Sequence, residues 1–221
     1  MARSLFCLAV CLLLSATTQA APNEDASVST TTESVTTPIR SADEDAVVAL
    51  ARARVDAEHA HLGRLAIWAG TNVVAGGALV WLSTPGLSPL PSEQVPEVLR
   101  GFAVQSLAWG SINLVIAGLG AAFPSSTTTD RDIALAAEDD LGKVLWTNVG
   151  LDAGYMFAGG TLMAASAFGA EPAIEWRSHG AGVVTQGAGL LALDLLAVWD
   201  SGPREEALQA LPAKAVAASS P

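Results

Sequence analysis

Four apolar stretches, each about as long as a helix that crosses a lipid bilayer, constrain the fold of this chain more than any other feature. They cover residues 65–82, 101–123, 144–168 and 180–199. A transmembrane helix needs about 20 predominantly apolar residues. Charged residues make up only 15% of the chain, against about 25% in soluble domains. The sequence predicts an all-α fold, a four-helix transmembrane bundle with up-down-up-down topology within residues 43–200. A soluble, alanine-rich bundle is the alternative, and the short loops argue against it.

The segments outside these stretches have a different composition. Residues 1–20 combine Arg3, an apolar run and Thr18-Gln19-Ala20, which is typical of a cleaved secretory signal peptide. An uncleaved anchor, which would add one span, is the alternative. Residues 21–42 are rich in Ser, Thr and acidic residues and are predicted to be a disordered linker. We expect an exposed helix at 43–61, a polar acidic loop at 124–143 and a frayed helix with a tail at 201–221.

A cleaved signal peptide also predicts the orientation of the chain. It would leave the new N-terminus outside, and four spans would return the C-terminus to the same side. The loops that hold Arg100 and Arg177 would then be cytoplasmic, which agrees weakly with the preference for positive residues inside. We therefore expect the protein in a bacterial inner (cytoplasmic) membrane, with both termini on the external, periplasmic side and the lipid bilayer as its main partner.

The third stretch carries the most informative polar residues. Asn148, Asp152, Tyr155 and Gly159 follow at spacings of four, three and four, so a helix places them on one face. A carboxylate near the middle of a bilayer is costly, and such groups usually face the interior of a bundle or water. Asp152 is therefore expected to point inward.

A row of small residues, Gly150, Gly154 and Ala158, lies on a neighbouring face of the same helix. Small residues four apart let another helix approach closely in a membrane. We expect this face to pack tightly against a second helix.

The other stretches also contain polar residues. The resulting candidate intramembrane polar site consists of Asn72, Asn113, Asn148, Asp152, Tyr155, Gln186 and Asp194. With a helical rise of about 1.5 Å per residue, the predicted topology brings all of them except Asn148 and Gln186 to a similar depth, and Gln186 lies on the inner side. No Lys or Arg lies within any span. Two carboxylates at one depth would then share a proton, hold a cation, or open to water.

These residues allow two interpretations from different classes. In the first, they are interhelical hydrogen bonds that set the packing, and the protein is a structural or accessory membrane protein. In the second, Asp152 and Asp194 serve a small ion- or proton-coupled, transport-like protein. Four spans are few for a monomeric carrier, so this protein would form a homo-oligomer or bind a membrane-protein partner.

Other functional classes find little support. The only cysteines, Cys7 and Cys11, lie in the predicted signal peptide, so we expect no disulfide or thiolate metal site. A net charge of −11 argues against nucleic acid binding. His59 and His61 precede the first span and are expected on a solvated surface, and His179 lies on the opposite side. The phosphate-binding, nucleophile-elbow and zinc motifs are missing from the sequence. We expect no enzymatic activity, no cofactor and no metal.

Several short motifs recur in the apolar stretches. They are Trp68-x3-Asn72, Trp109-x3-Asn113, Asn148-x3-Asp152-x2-Tyr155-x3-Gly159, and Gln186-Gly187 with Asp194 downstream. In these motifs, over about residues 45–200, the chain resembles an uncharacterised bacterial family of small four-helix integral membrane proteins. The resemblance implies the helical fold and brings no established activity with it.

Overall fold

The structure, a computed structural model, describes residues 41–84, 86–89 and 97–213. Four helices occupy most of them: α1 (Ala42–Ser83), α2 (Glu97–Ala122), α3 (Arg131–Ala167) and α4 (Ala173–Ala210). These described residues contain no strand, so the predicted all-helical class is confirmed for them. The predicted signal peptide at 1–20 and the linker up to residue 40 lie outside the described residues.

Side-chain caps mark where α1 and α3 begin. Ser41 accepts a hydrogen bond from the Glu44 backbone N–H, and the Glu44 carboxylate accepts one from the Ser41 N–H. This reciprocal pair satisfies two backbone donors at the start of α1. At α3, Asp130 Oδ1 accepts from the backbone N–H groups of Asp132 and Ile133, as an N-cap residue does.

Two stretches that the sequence placed outside regular helices are helical. The predicted acidic loop ends at Asp130, because α3 already begins at Arg131. The helix α4 continues through Pro203 to Ala210, although Ser201-Gly202-Pro203 was expected to end it. Both differences arise from contacts between distant parts of the chain.

The start of α1, the start of α3 and the end of α4 pack together at one end of the helices, here called the capped end. Its small apolar core consists of Val47, Ala134 and Leu208. Arg131 donates hydrogen bonds to the backbone oxygens of Leu208 and Gln209, at 3.0 and 3.1 Å. A cation at the last carbonyls of a helix stabilises its end. These contacts hold α4 in helical form beyond Pro203.

The helix α4 is the centre of the packing, since it contacts α1, α2 and α3. The helix α3 packs mainly on α4 and touches α1 at few positions, and its backbone makes no close approach to that of α2. Contacts between α1 and α2 progress in opposite directions along the two helices. A Cβ atom added to Gly120 of α2 would meet Leu62 of α1, and one added to Gly76 of α1 would meet Leu107 of α2. Later residues of α1 thus contact earlier residues of α2.

The closest approach between α3 and α4 occurs at Gly159 and Gly180. A Cβ atom added to Gly159 would lie 2.7 Å from the Gly180 carbonyl oxygen, and one added to Gly180 would lie 2.6 Å from that of Gly159. By contrast, a Cβ atom at Gly150 or Gly154 would meet nothing within 4 Å, and Ala158 is exposed. The predicted packing row is therefore wrong within this chain, and the neighbouring Gly159 face packs instead.

The distribution of side chains is the reverse of that in a soluble protein. Large apolar side chains point outward, including Ile67, Val74, Val115, Phe157 and Trp199. The buried side chains include many polar ones: Asn72, Ser106, Asn113, Asp152, Gln186 and Asp194.

Three of the helices, α1, α2 and α4, contain segments long and apolar enough to cross a membrane. The helix α3 is not among them, because Asn148, Asp152 and several Gly and Thr residues lower its hydropathy.

Candidate functional site

Three titratable side chains from three helices meet below the capped end. His61 Nε2 on α1 lies 3.1 Å from Asp194 Oδ1 on α4. The carboxyl group of Asp194 in turn lies close enough to that of Asp152 on α3 for the two to interact. We call His61, Asp194 and Asp152 the outer cluster. It joins the two aspartates of the candidate site and adds a histidine.

Each helix presents its member of the outer cluster through its packed face. Asp152 lies two turns from Gly159 on the face of α3 that meets α4. The buried positions of α1 include Leu65, Ala69 and Asn72, and His61 continues this stripe by one turn. His61 is only partly buried, whereas Asp194 is 6% exposed and Asp152 is 3% exposed. Access to solvent therefore falls from the histidine to the deeper aspartate.

An apolar layer separates the outer cluster from the next polar contact. It consists of Leu65, Ala117 and Leu190, with Trp68 packed against it. The Trp68 ring lies against Gly189, so Trp68 is part of the interior of the bundle.

Beyond this layer, α1 and α4 are joined by a polar pair. Gln186 Nε2 donates to Asn72 Oδ1 at 2.5 Å, and Asn72 Nδ2 donates to the Trp68 backbone oxygen at 2.8 Å. The depth arithmetic grouped Asn72 with the aspartates, whereas the structure pairs it with Gln186.

The remaining polar contacts lie between α2 and its neighbours. Gln105 Nε2 lies 3.0 Å from His179 Nδ1, and Trp109 Nε1 donates to Gln105 Oε1 at 3.2 Å. The rings of Trp109 and Tyr155 meet with centroids 4.7 Å apart. This aromatic contact links α2 to α3, whose backbones stay apart.

Two residues of the predicted site stand apart. Asn113 is buried, and its Nδ2 has no hydrogen-bond partner among the described residues. Asn148 is half-buried on the Asp152 side of α3. Thus the structure brings together Asp152 with Asp194 and Asn72 with Gln186, and it does not gather all seven residues at one point.

Sequence reasoning missed His61, which it placed on a solvated surface. A signal was present, because His61 and Asn72 are 11 residues apart on α1, about three turns, and therefore share a face. The prediction failed because His61 precedes the first apolar stretch. The helix α1 runs without a break from Ala42, so its buried face continues beyond the apolar segment.

The chemistry of the outer cluster is that of proton binding. Two carboxylates and one imidazole are neutral together when they hold two exchangeable protons, and they carry one negative charge when they hold one. A low-dielectric surrounding favours the neutral form. Two buried acceptor positions, His61 Nδ1 and Asp152 Oδ2, have no hydrogen-bond partner among the described residues. The cluster therefore has room to change its proton count.

Comparison with known proteins identifies a family for this chain and assigns no activity to it. No curated protein matches the chain, and no solved structure matches it either. One family model matches residues 64–195, which include Asp152 and Asp194 and end before the last turns of α4. The chain belongs to this family, a family of unknown function (DUF6992).

Proposed function

We propose that this chain is an integral membrane protein of four transmembrane helices that binds and releases a proton or another small cation at Asp152 and Asp194. The convergence of these two buried carboxyl groups, one of them 3.1 Å from His61, carries the proposal. They come from different helices and are buried where the sequence offers no Lys or Arg within the apolar stretches. Like-charged groups in such a place need a shared proton or a cation.

The surface supports the membrane part of this proposal. Large apolar side chains such as Ile67, Val74 and Phe157 are more than 70% exposed, and extended apolar surface of this kind is rare in soluble monomers. Trp81 and Trp199, near the ends of their apolar segments, are exposed where interfacial anchors would lie. In this arrangement α3 also crosses the membrane, which brings the number of spans to four, and its polar face is turned towards α4.

The contacts along the helices support an up-down-up-down order. Asp152 lies near Gly187, and Gly159 lies near Gly180, so α3 and α4 run in opposite directions, as α1 and α2 do. The capped end, which contains the start of α1 and the end of α4, would then face the external, periplasmic side of a bacterial inner membrane. The expected cleavage of the signal peptide supports this orientation.

A structural or accessory role is the second candidate. Direct interhelical hydrogen bonds favour it, above all Gln186 to Asn72 and Gln105 to His179. Polar contacts of this type join helices in membranes without any further activity. A transport role would require a homo-oligomer or a membrane-protein partner, because four helices leave little room for a path through one chain.

Infrared difference spectroscopy on the lipid-reconstituted protein distinguishes the two candidates. We expect a carboxyl band that changes with pH, or with a particular cation, and is lost in Asp152→Asn and in Asp194→Asn. Asp56→Asn is the matched control, because Asp56 is an exposed aspartate on α1. A band that stays fixed from acid to alkaline pH in the wild type would show that the aspartates are sealed structural groups.

A further inference from the structure

We infer that the cation exchanged at Asp152 and Asp194 is a proton, and that His61 passes it between this pair and the side of the membrane on which the capped end lies. The inference rests on the proposed function, because it requires the carboxyl pair to change its proton count. It adds the ligand, the route and the residue that controls the route.

The contacts of the outer cluster are those that a proton makes. The distance of 3.1 Å from His61 Nε2 to Asp194 Oδ1 is that of a hydrogen bond, in which one proton lies between nitrogen and oxygen. The Asp194 and Asp152 carboxyl groups are close enough to interact, and a proton shared between them would join two groups that otherwise repel each other. The three residues thus form a series in which a proton can pass from nitrogen to oxygen and then from oxygen to oxygen.

The order of burial gives the series a direction. His61 is the most exposed member and Asp152 the most buried. Towards the capped end, α1 continues from His61 into a segment that carries Glu58, His59 and Asp56. In the opposite direction, Leu65, Ala117 and Leu190 close the interior. Water therefore approaches the carboxyl pair from the side of His61.

An imidazole can relay a proton because its two nitrogens exchange roles. Because Nδ1 is buried in this structure, the partly exposed His61 side chain turns towards water for Nδ1 to take a proton, and Nε2 then gives its proton to Asp194 Oδ1. The ring is then neutral again, with the proton on the other nitrogen. Asp194 passes a proton to Asp152, and return of a proton to water reverses each step. No other reactant is needed.

The other charged groups near His61 come from α1, α3 and α4. On α1, Arg64 lies 3.9 Å from Asp200 of α4, and Glu58 is paired with Arg54. The helix α2 contributes none, since it has no ionisable residue from Gly101 to Ala122. On α3, Asp152 belongs to the outer cluster, and Lys143 is paired with Asp139 and Asp140 of its own helix. Asp194 is the ion-pair partner of His61 among the described residues.

The test measures how fast the carboxyl band responds to a pH step on either side of the membrane. The protein is placed in vesicles of phosphatidylcholine and phosphatidylglycerol, and protease cleavage of its C-terminal segment gives its orientation. The variant His61→Gln keeps a hydrogen-bonding side chain and cannot take up a proton. His59→Gln, two residues away on the exposed side of α1, is the matched control.

We expect the wild-type band to respond to a pH step on the side of the capped end and not to one on the other side. In His61→Gln, the response should slow by about 100-fold or more, because general acid–base groups commonly contribute factors of this size. Its final amplitude should be kept, which shows that the carboxyl pair is intact. His59→Gln should behave like the wild type. If His61→Gln does not insert, His61→Asn replaces it.

Three results would overturn the inference while the proposed function stands. The first is an unchanged rate in His61→Gln, and the second is a response that starts from the opposite side. The third is a wild-type band that responds to a cation at constant pH, which would show that this cation, and not the proton, is the ligand. If the wild type shows no response to pH or cations, the proposed function itself fails.

Discussion

Glu138 of α3 and Arg204 of α4 form an ion pair with two hydrogen bonds, in which Nη2 lies 2.7 Å from Oε1 and Nε lies 3.2 Å from Oε2. Glu138 is only 1% exposed, so Arg204 supplies hydrogen bonds that its carboxylate oxygens cannot obtain from water. The pair lies within the capped end, where the sequence predicted a solvated loop opposite a frayed tail.

Removing Arg204 should therefore destabilise the protein strongly. Arg204→Ala leaves the Glu138 carboxylate buried without a cation, and breaking a buried pair on one side costs about 3 kcal/mol or more. Thermal unfolding in detergent would measure the loss. Lys143→Ala removes a cation that is paired but largely exposed and should change little. Equal effects of the two variants would contradict a special role for the Glu138–Arg204 pair.

A single methyl group at the closest approach of α3 and α4 should also be harmful. In Gly159→Ala, the new Cβ atom would lie 2.7 Å from the Gly180 carbonyl oxygen, and such overpacking costs about 1–3 kcal/mol. Gly154→Ala on the same helix has free space around it. It should be neutral or stabilising, by up to about 1 kcal/mol, since Ala favours the helix over Gly. The unfolding midpoints of the two variants should thus move in opposite directions.

The hydrogen bond from Gln186 to Asn72 should contribute to stability and not to proton binding. Replacing both residues by Leu in a double-mutant cycle should give a coupling free energy of about 0.5–2 kcal/mol, as for other interhelical hydrogen bonds in membranes. The infrared response of Asp152 and Asp194 should remain, because the layer around Leu190 separates the two sites. Loss of that response in the variants would show that the two polar sites act together.

Lys143 provides a prediction on pH. The hydrogen bond to Asp139, followed by that to Asp140, raises the pKa of the Lys143 ammonium group. A raised pKa keeps the amine charged. The attraction between Lys143 and the two aspartates is fully present below the ordinary pKa of lysine, and it is lost as the pH rises through the raised pKa. Acylation of Lys143 at about pH 9–11 should therefore be faster in Asp139→Asn than in the wild type. Mass spectrometry would give the rates, with Asp132→Asn as the unaffected control.

The helices could be predicted from the sequence to different degrees. Their number follows from four apolar runs that Pro and Gly interrupt, such as Gly169 to Pro172. The start of α1 was predicted, whereas the start of α3 and the end of α4 were not, because the charged segments there carry no apolar period. They are helical because Arg131 binds the last carbonyls of α4 and Arg204 pairs with Glu138. Such contacts between distant residues leave no local pattern.

The candidate site could likewise be predicted only in part from the sequence. Depth along the helices placed Asp152 and Asp194 at one level, and the structure has their carboxyl groups in contact. Rotation about each helix axis is harder to predict. The face of α3 with Gly150 and Gly154 looked suitable for packing and faces outward, whereas Gly159 makes the close contact. His61 was set aside because polarity was judged residue by residue and not by the phase of a continuous helix.

The packing of α4 against all three other helices has a consequence for how the chain is made. In the proposed membrane arrangement, synthesis delivers α4 last, so α3 enters the bilayer before the helix that covers its polar face. During that interval Asp152 lacks Asp194, its partner on α4. Membrane assembly of this chain would therefore be most sensitive to an interruption between the third helix and the fourth, because a chain that stops there keeps a carboxyl group with no partner helix.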